Sequence, residues 1–171
     1  MPTPDATTRA EMAGDIDEMD RIIGQFLDFA RTDGGEGAQP LDCARLAGEV
    51  AATYRERGRA LDTDLQPTPS LTLKPLAVRR LITNLLDNAY KYAGEGVALA
   101  TRSEGGAAII EVLDRGPGIP DAGDRERMKQ PFQRMESART NAGGSGLGLA
   151  IVDRIAAAHH GRFELLARDG G

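Results

Sequence analysis

An apolar run from Ala107 to Leu113, opening Ala-Ala-Ile-Ile, stops directly at Asp114-Arg115-Gly116-Pro117-Gly118. So short a run, rich in branched aliphatic side chains, predicts a strand, apolar enough to be central in a sheet. A carboxylate then stands at the strand's end, where two glycines let the backbone turn sharply and approach a ligand closely. About 25 residues further on, Gly143-Gly144-Ser145-Gly146-Leu147-Gly148-Leu149 opens a helix. Free N–H groups and the dipole at such a start favour phosphate. Each feature alone is also compatible with an ordinary turn. The dinucleotide fingerprint is excluded, because the spacing is GxGxG and the preceding Glu136 to Asn141 is polar; no GxxxxGK stretch occurs either.

Upstream of the strand, Asp42 can cap a helix running to about Arg57 and closed by Gly58, and Leu61 to Leu65 alternates as a strand does. Pro67 and Pro69 enforce a turn before a short strand near Leu71 to Leu73. Pro75 suits the first turn of a long helix reaching Tyr92, since its missing N–H costs nothing there. Val97 to Arg102 and Ala107 to Leu113, joined by Ser103 to Gly106, predict a hairpin. A helix over about Gly146 to Ala158 and a last strand near Arg162 to Leu166 complete the pattern. Helices interleaved with antiparallel strands imply an α/β fold, a two-layer sandwich with one layer of sheet and one of helices. No internal repeat is visible.

Nearer the start, Met12, Ile16, Met19, Ile23, Phe26 and Ala30 fall at alternating steps of four and three. That spacing predicts a helix packing on other helices, or an amphipathic helix lying on its own domain. The glycine-rich, polar stretch that follows reads as a linker. The expected organisation is a helix over 10–32, a linker over 33–40 and a domain over 41–171.

With 21 basic against 26 acidic side chains, the net charge of −5 gives no support to a surface for nucleic acid or anionic membrane. Cys43 is the only cysteine, so no disulfide framework or thiolate metal cluster can form, which fits a reducing cytoplasm. No apolar run approaches the roughly 20 residues of a membrane span, and a soluble piece without membrane contact is expected.

The long helix carries Asn84, Asn88 and Lys91 at steps of four and three, on one face, with Asp87 and Tyr92 beside them. An amide oxygen can ligate Mg²⁺ and a lysine can neutralise phosphate, so the face suits a metal–triphosphate, or else is simply a solvated polar face. Taken in order, the elements resemble the boxes of the GHKL ATP-binding (Bergerat) fold. Asn84-Leu85-Leu86-Asp87-Asn88-Ala89-Tyr90-Lys91-Tyr92 resembles the N box, Asp114 to Gly118 the G1 box, Pro131-Phe132 the F box and Gly144 to Leu149 the G2 box. Gln130-Pro131-Phe132-Gln133-Arg134 and Ser137-Ala138-Arg139-Thr140 are similar to the lid of osmosensor histidine kinases of the EnvZ type. Ile22 to Phe29 is similar to the second helix of their dimerisation domain.

The resemblance implies an ATP-binding catalytic domain of a two-component sensor histidine kinase, with ATP and Mg²⁺ as cofactors and a response regulator as partner. It further implies a parent that dimerises through its dimerisation helices and sits in the bacterial inner membrane, this fragment being cytoplasmic. Asp114 would accept from the adenine amino group and disfavour guanine. Asn88 would hold Mg²⁺, and Lys91 and Tyr92 would contact phosphate or ribose. Gly144, Gly146 and Gly148 would let the lid close. Gly116, Gly118, Phe132 and Leu147 complete the nucleotide set, while Arg134 and Arg139 are either γ-phosphate contacts or solvated lid residues. Hydrolysing relatives carry a glutamate base four residues before the metal asparagine; Asn84 stands there, so Asn84 and Lys91 are the candidate catalytic residues of a kinase rather than an ATPase.

His159 and His160 are the only histidines, at a predicted helix end followed by Gly161, and are expected to be caps. The phosphoacceptor helix would precede residue 1 and a further strand would follow Gly171, so a fragment that binds ATP without phosphorylating itself is expected. Two other readings are a non-catalytic nucleotide sensor and a serine kinase of the anti-sigma-factor type.

Overall fold

The computed structural model describes residues 24, 35–119, 121–133 and 145–167. The helix expected over 10–32 lies outside the described residues except for Gly24, which is helical.

Strand β1 (Gln39–Leu41) pairs antiparallel with β3 (Leu71–Leu73). Between them lie α1 (Cys43–Glu56) and β2 (Asp62–Leu65). The Asp42 carboxylate accepts from the Ala44 and Arg45 N–H groups at 3.0 and 3.2 Å, satisfying donors that a helix start leaves free. Helix α2 (Pro75–Tyr92) follows β3 directly, with Pro75 in its first turn. Strands β4 (Ala98–Glu104) and β5 (Ala107–Leu113) form the hairpin, with Ala98 opposite Leu113. Its tip is Gly105-Gly106, both at positive φ (58° and 82°), the backbone that a two-residue hairpin turn of the twisted kind demands.

β2, β4 and β5 form one sheet in that order. β2 runs parallel to β4, against the antiparallel expectation, because β3 and α2 provide the crossover that a parallel neighbour requires. The central strand of the described sheet is therefore β4, not β5. The linker expected over 33–40 is also corrected: Gln39 and Pro40 belong to β1.

The core lies between this sheet and α1 and α2. On α1, Leu46, Val50 and Tyr54 point inward at steps of four, as do Val78, Ile82 and Leu86 on α2; they meet Val97 just before β4 and Leu99 within it. Ile82, Leu86 and Leu99 are fully buried, each stabilising the fold by about 1.5–3 kcal/mol through area removed from water.

Helix α3 (Ala122–Met128) was not expected; its start, Ala-Gly-Asp, is a poor helix former, and the readable signal is Asp121, which caps it by accepting from the Asp124 N–H at 3.1 Å. Helix α4 (Gly148–Ala158) packs on α2. Residues 161–167 are not a strand, against expectation. A strand needs a partner to complete its hydrogen bonds, and none is present among the described residues. Phe163 instead lies 5.7 Å from the Lys129 ammonium, and Arg162 pairs with Glu164.

Candidate functional site

The polar stripe of α2 exists because that helix turns its apolar stripe to the core, leaving the opposite face to Asn84 and Asn88, both partly buried. What covers this face is the start of α4. A β-carbon at Gly148 would sit 3.4 Å from both amide atoms of Asn88 and 3.5 Å from Asn84 Oδ1. The Asn84 Nδ2 donates to the Arg80 carbonyl at 2.9 Å, which turns its oxygen toward Gly148. Arg80, one turn earlier on the same stripe, is half-buried, and burial lowers its guanidinium's pKa. The two asparagines and the glycine loop are thus brought together.

The loop is shaped by Gly146, whose φ of +69° is left-handed and precludes the helix start expected there; α4 begins at Gly148 instead. A β-carbon at Gly146 would meet Gln133 O at 2.8 Å and Phe132 C at 2.9 Å. Phe132 N–H donates to the Gly146 carbonyl at 3.0 Å, so the F and G2 segments are hydrogen-bonded to each other. Leu147 is buried against α2, while Phe132, at φ +64°, leaves 61 % of its surface exposed.

At the end of β5, Gly116 N–H donates to Asp114 Oδ1 at 2.8 Å, which fixes the carboxylate rotamer. A β-carbon at Gly116 would lie 3.0 Å from that oxygen and 3.5 Å from Ala93 at the end of α2, so the G1 loop abuts the helix that carries the asparagines. Gly118 is also left-handed, at φ +64°.

Lys91 and Tyr92 are exposed, with the Lys91 ammonium 5.3 Å from the Tyr92 ring. Lys91 also lines a cleft of about 250 Å³ with Tyr54, Arg59, Asp87 and Tyr90. There Tyr54 donates to Asp87 Oδ1 at 2.5 Å, and its ring stacks on Tyr90 at 5.7 Å. Burial, then the bond to Asp87, pushes the Tyr54 hydroxyl far above its ordinary ionisation. Tyr54 went unremarked in the sequence; the inward stripe of α1 could have marked it as a support for α2, though not its partner. Arg134, Arg139 and Gly144 lie outside the described residues.

Among the described residues no group of three His, Cys, Asp or Glu side chains could hold a metal. Asn88 offers an amide oxygen beside the loop, which fits a hard cation that takes most of its ligands from phosphate and water. Among them, too, no helix is long and apolar enough to cross a membrane.

A family model described as histidine kinase-, DNA gyrase B-, and HSP90-like ATPase matches residues 73–171. The sensor histidine kinase GtrS of Pseudomonas aeruginosa is 33% identical over 171 residues, covering 98% of this chain and 34% of that protein. The solved structure of full-length ShkA in complex with AMPPNP is 25% identical, with a TM-score of 0.67 over 92% of this chain and 35% of that one. The histidine kinase domain of the E. coli osmosensor EnvZ is 36% identical, with a TM-score of 0.60 over 81% of this chain and 86% of that one. The chain spans between about a third and a half of the length of the curated relatives it matches.

Proposed function

The chain belongs to the family of histidine kinase-, DNA gyrase B- and HSP90-like ATPases, and from that premise we propose that it is the ATP-binding catalytic unit of a two-component sensor histidine kinase. The observation that carries this reading is the apposition of Asn84 and Asn88 to Gly148 across α2 and α4, with the oriented Asp114 carboxylate beyond Ala93, at the same end of α2.

In this reading Asp114 Oδ1 is held by Gly116 N–H, and Oδ2 accepts from the adenine amino group. Guanine presents an oxygen at that position and is repelled. Asn88 supplies an oxygen to Mg²⁺, Lys91 and Tyr92 contact phosphate or ribose, Gly116, Gly118 and Phe132 line the nucleotide, and Leu147, buried against α2, anchors the loop beside it. Bound Mg²⁺ supplies charge neutralisation of the triphosphate, and positioning carries most of the remaining catalysis. Asn84 is an amide already engaged with Arg80 O and cannot serve as general base to a water. That supports transfer of the γ-phosphate to a histidine over hydrolysis.

The acceptor histidine is neither His159 nor His160. His159 has both ring nitrogens in hydrogen bonds, and His160 follows it in a helix cap. The 10–32 segment, with its a and d spacing, serves dimerisation in the parent, residues 41–171 form the catalytic domain, and a response regulator receives the phosphate. The parent resides in the bacterial inner membrane with this part in the cytoplasm. The finer assignment to the EnvZ type rests on Gln130 to Arg134, on Ser137 to Thr140 and on the 36% identity to that kinase domain.

Calorimetric titration with Mg–ATP and Mg–GTP, repeated on Asp114→Asn, tests the reading. ATP alone should bind, and the variant should lose it. Equal binding of both nucleotides, or an unaffected variant, refutes the adenine pocket.

A further inference from the structure

The start of α2 is held by side chains from two other parts of the chain. Leu76 and Ala77 N–H donate to the Glu36 carboxylate at 2.8 and 3.3 Å, Pro75 has no N–H, and Lys74 N–H donates to His159 Nε2 at 3.1 Å. His159 is the C-cap of α4, and its Nδ1 lies 2.8 Å from the Ile155 carbonyl. A carbonyl only accepts and an amide N–H only donates, so these two contacts assign the proton to Nδ1 and leave Nε2 bare.

The consequence lies in how α2 and α4 pack. At the start of α4, Gly148 faces Asn84 and Asn88; along its length Leu147, Ile151 and Ile155 pack on Ala77 and Leu81; at its end His159 reaches Lys74. The helices therefore run antiparallel, and the His159 bond closes the end remote from the asparagines. Apolar packing is non-directional, and packed helices slide past one another in small shear steps. A hydrogen bond with a defined length removes that freedom. Because α4 moves as a rigid rod, any slide permitted at His159 reappears at Gly148.

We propose that His159, as the neutral Nδ1–H tautomer, is a positioning residue for the nucleotide site, locking α4 against the start of α2 and keeping the Gly146–Gly148 loop in register with Asn84 and Asn88. This rests on the nucleotide-binding reading above. His159→Gln keeps an acceptor for Lys74 N–H, whereas His159→Phe keeps the bulk and loses the acceptor.

The first measurement is the imidazole nitrogen spectrum of the histidine-labelled chain near pH 8, assigned by the resonances lost in His159→Gln. An Nδ1–H tautomer is expected; an Nε2–H tautomer overturns the proposal. The second is a Mg–ATP titration of the three proteins well below their melting temperatures, with the Gly148 amide and Asn88 side-chain resonances followed. His159→Gln should bind within about twofold of the unaltered chain, and His159→Phe about tenfold more weakly, with those resonances displaced. Binding by His159→Phe at the unaltered level, or equal weakening in both variants, overturns it. Should His159→Phe not fold, the tautomer and His159→Gln decide. If the unaltered chain binds no nucleotide, the functional reading falls, while the tautomer and the Gly148 resonance still decide the lock.

Discussion

Gly146→Ala puts the junction of the F and G2 segments to a quantitative test. The residue sits at φ +69°, where an L side chain costs on the order of 1 kcal/mol beyond the gain from a stiffer unfolded chain. Its β-carbon would stand 2.8 Å from Gln133 O and 2.9 Å from Phe132 C, both main-chain atoms that no rotamer change can withdraw. The segments must separate, which forfeits the Phe132 N–H to Gly146 carbonyl bond, about 1 kcal/mol more. Local detachment caps the total near 2 kcal/mol, because the rest of the core need not move. For a domain of this size that is a fall in melting temperature of roughly 6–10 °C. Gly148→Ala is the control: its β-carbon meets only the Asn84 and Asn88 amides, at 3.4–3.5 Å, and its φ is not left-handed. It should melt at or above the unaltered temperature yet bind Mg–ATP more weakly, since the added methyl covers the asparagine face. Thermal melts and calorimetry on the pair separate strain from occlusion. If Gly146→Ala melted and bound like the unaltered chain, the loop geometry argued above would be wrong.

Tyr54→Phe removes the bond to Asp87 and should cost about 1 kcal/mol by chemical denaturation. Because burial and Asp87 raise the Tyr54 ionisation, its contribution is fully present below the free tyrosine value of about 10 and is lost as pH rises through the folded-state value. Alkaline melts should therefore decline less steeply in the variant. His160 holds φ +57° at the end of α4, where glycine is at ease; His160→Gly should raise stability by about 0.5 kcal/mol, read as a melting temperature up by a few degrees. Glu36→Ala strips the carboxylate from the start of α2 and should lower stability by about 1 kcal/mol, with amide exchange at Leu76 and Ala77 accelerating first.

Much of the site was legible because it is written in local chemistry. The steps of four and three that align Asn84, Asn88 and Lys91 follow from helix periodicity, Pro75 and Asp42 mark helix starts, and an apolar run ending in Asp114 and two glycines puts a carboxylate at a strand end whatever the sheet order. Identity of a strand is local too, but its partner is not. The central place of β4, the recruitment of Gln39–Leu41 as a strand and the absence of one at Arg162 to Leu166 all depend on which backbone lies alongside. Helix α3 was missed for a different, local reason: a seven-residue helix with a weak start has little periodicity to read.

Sequence by itself determined the long helices, the hairpin, the composition of the polar face and the turn residues, because each depends on neighbours within a few positions. Only the tertiary structure decided that Gly148 meets Asn88, that Tyr54 holds Asp87 and that both nitrogens of His159 are engaged. Those contacts join residues distant in the chain, and the packing of α2 against α1 through one apolar cluster and against α4 through another sets their distances.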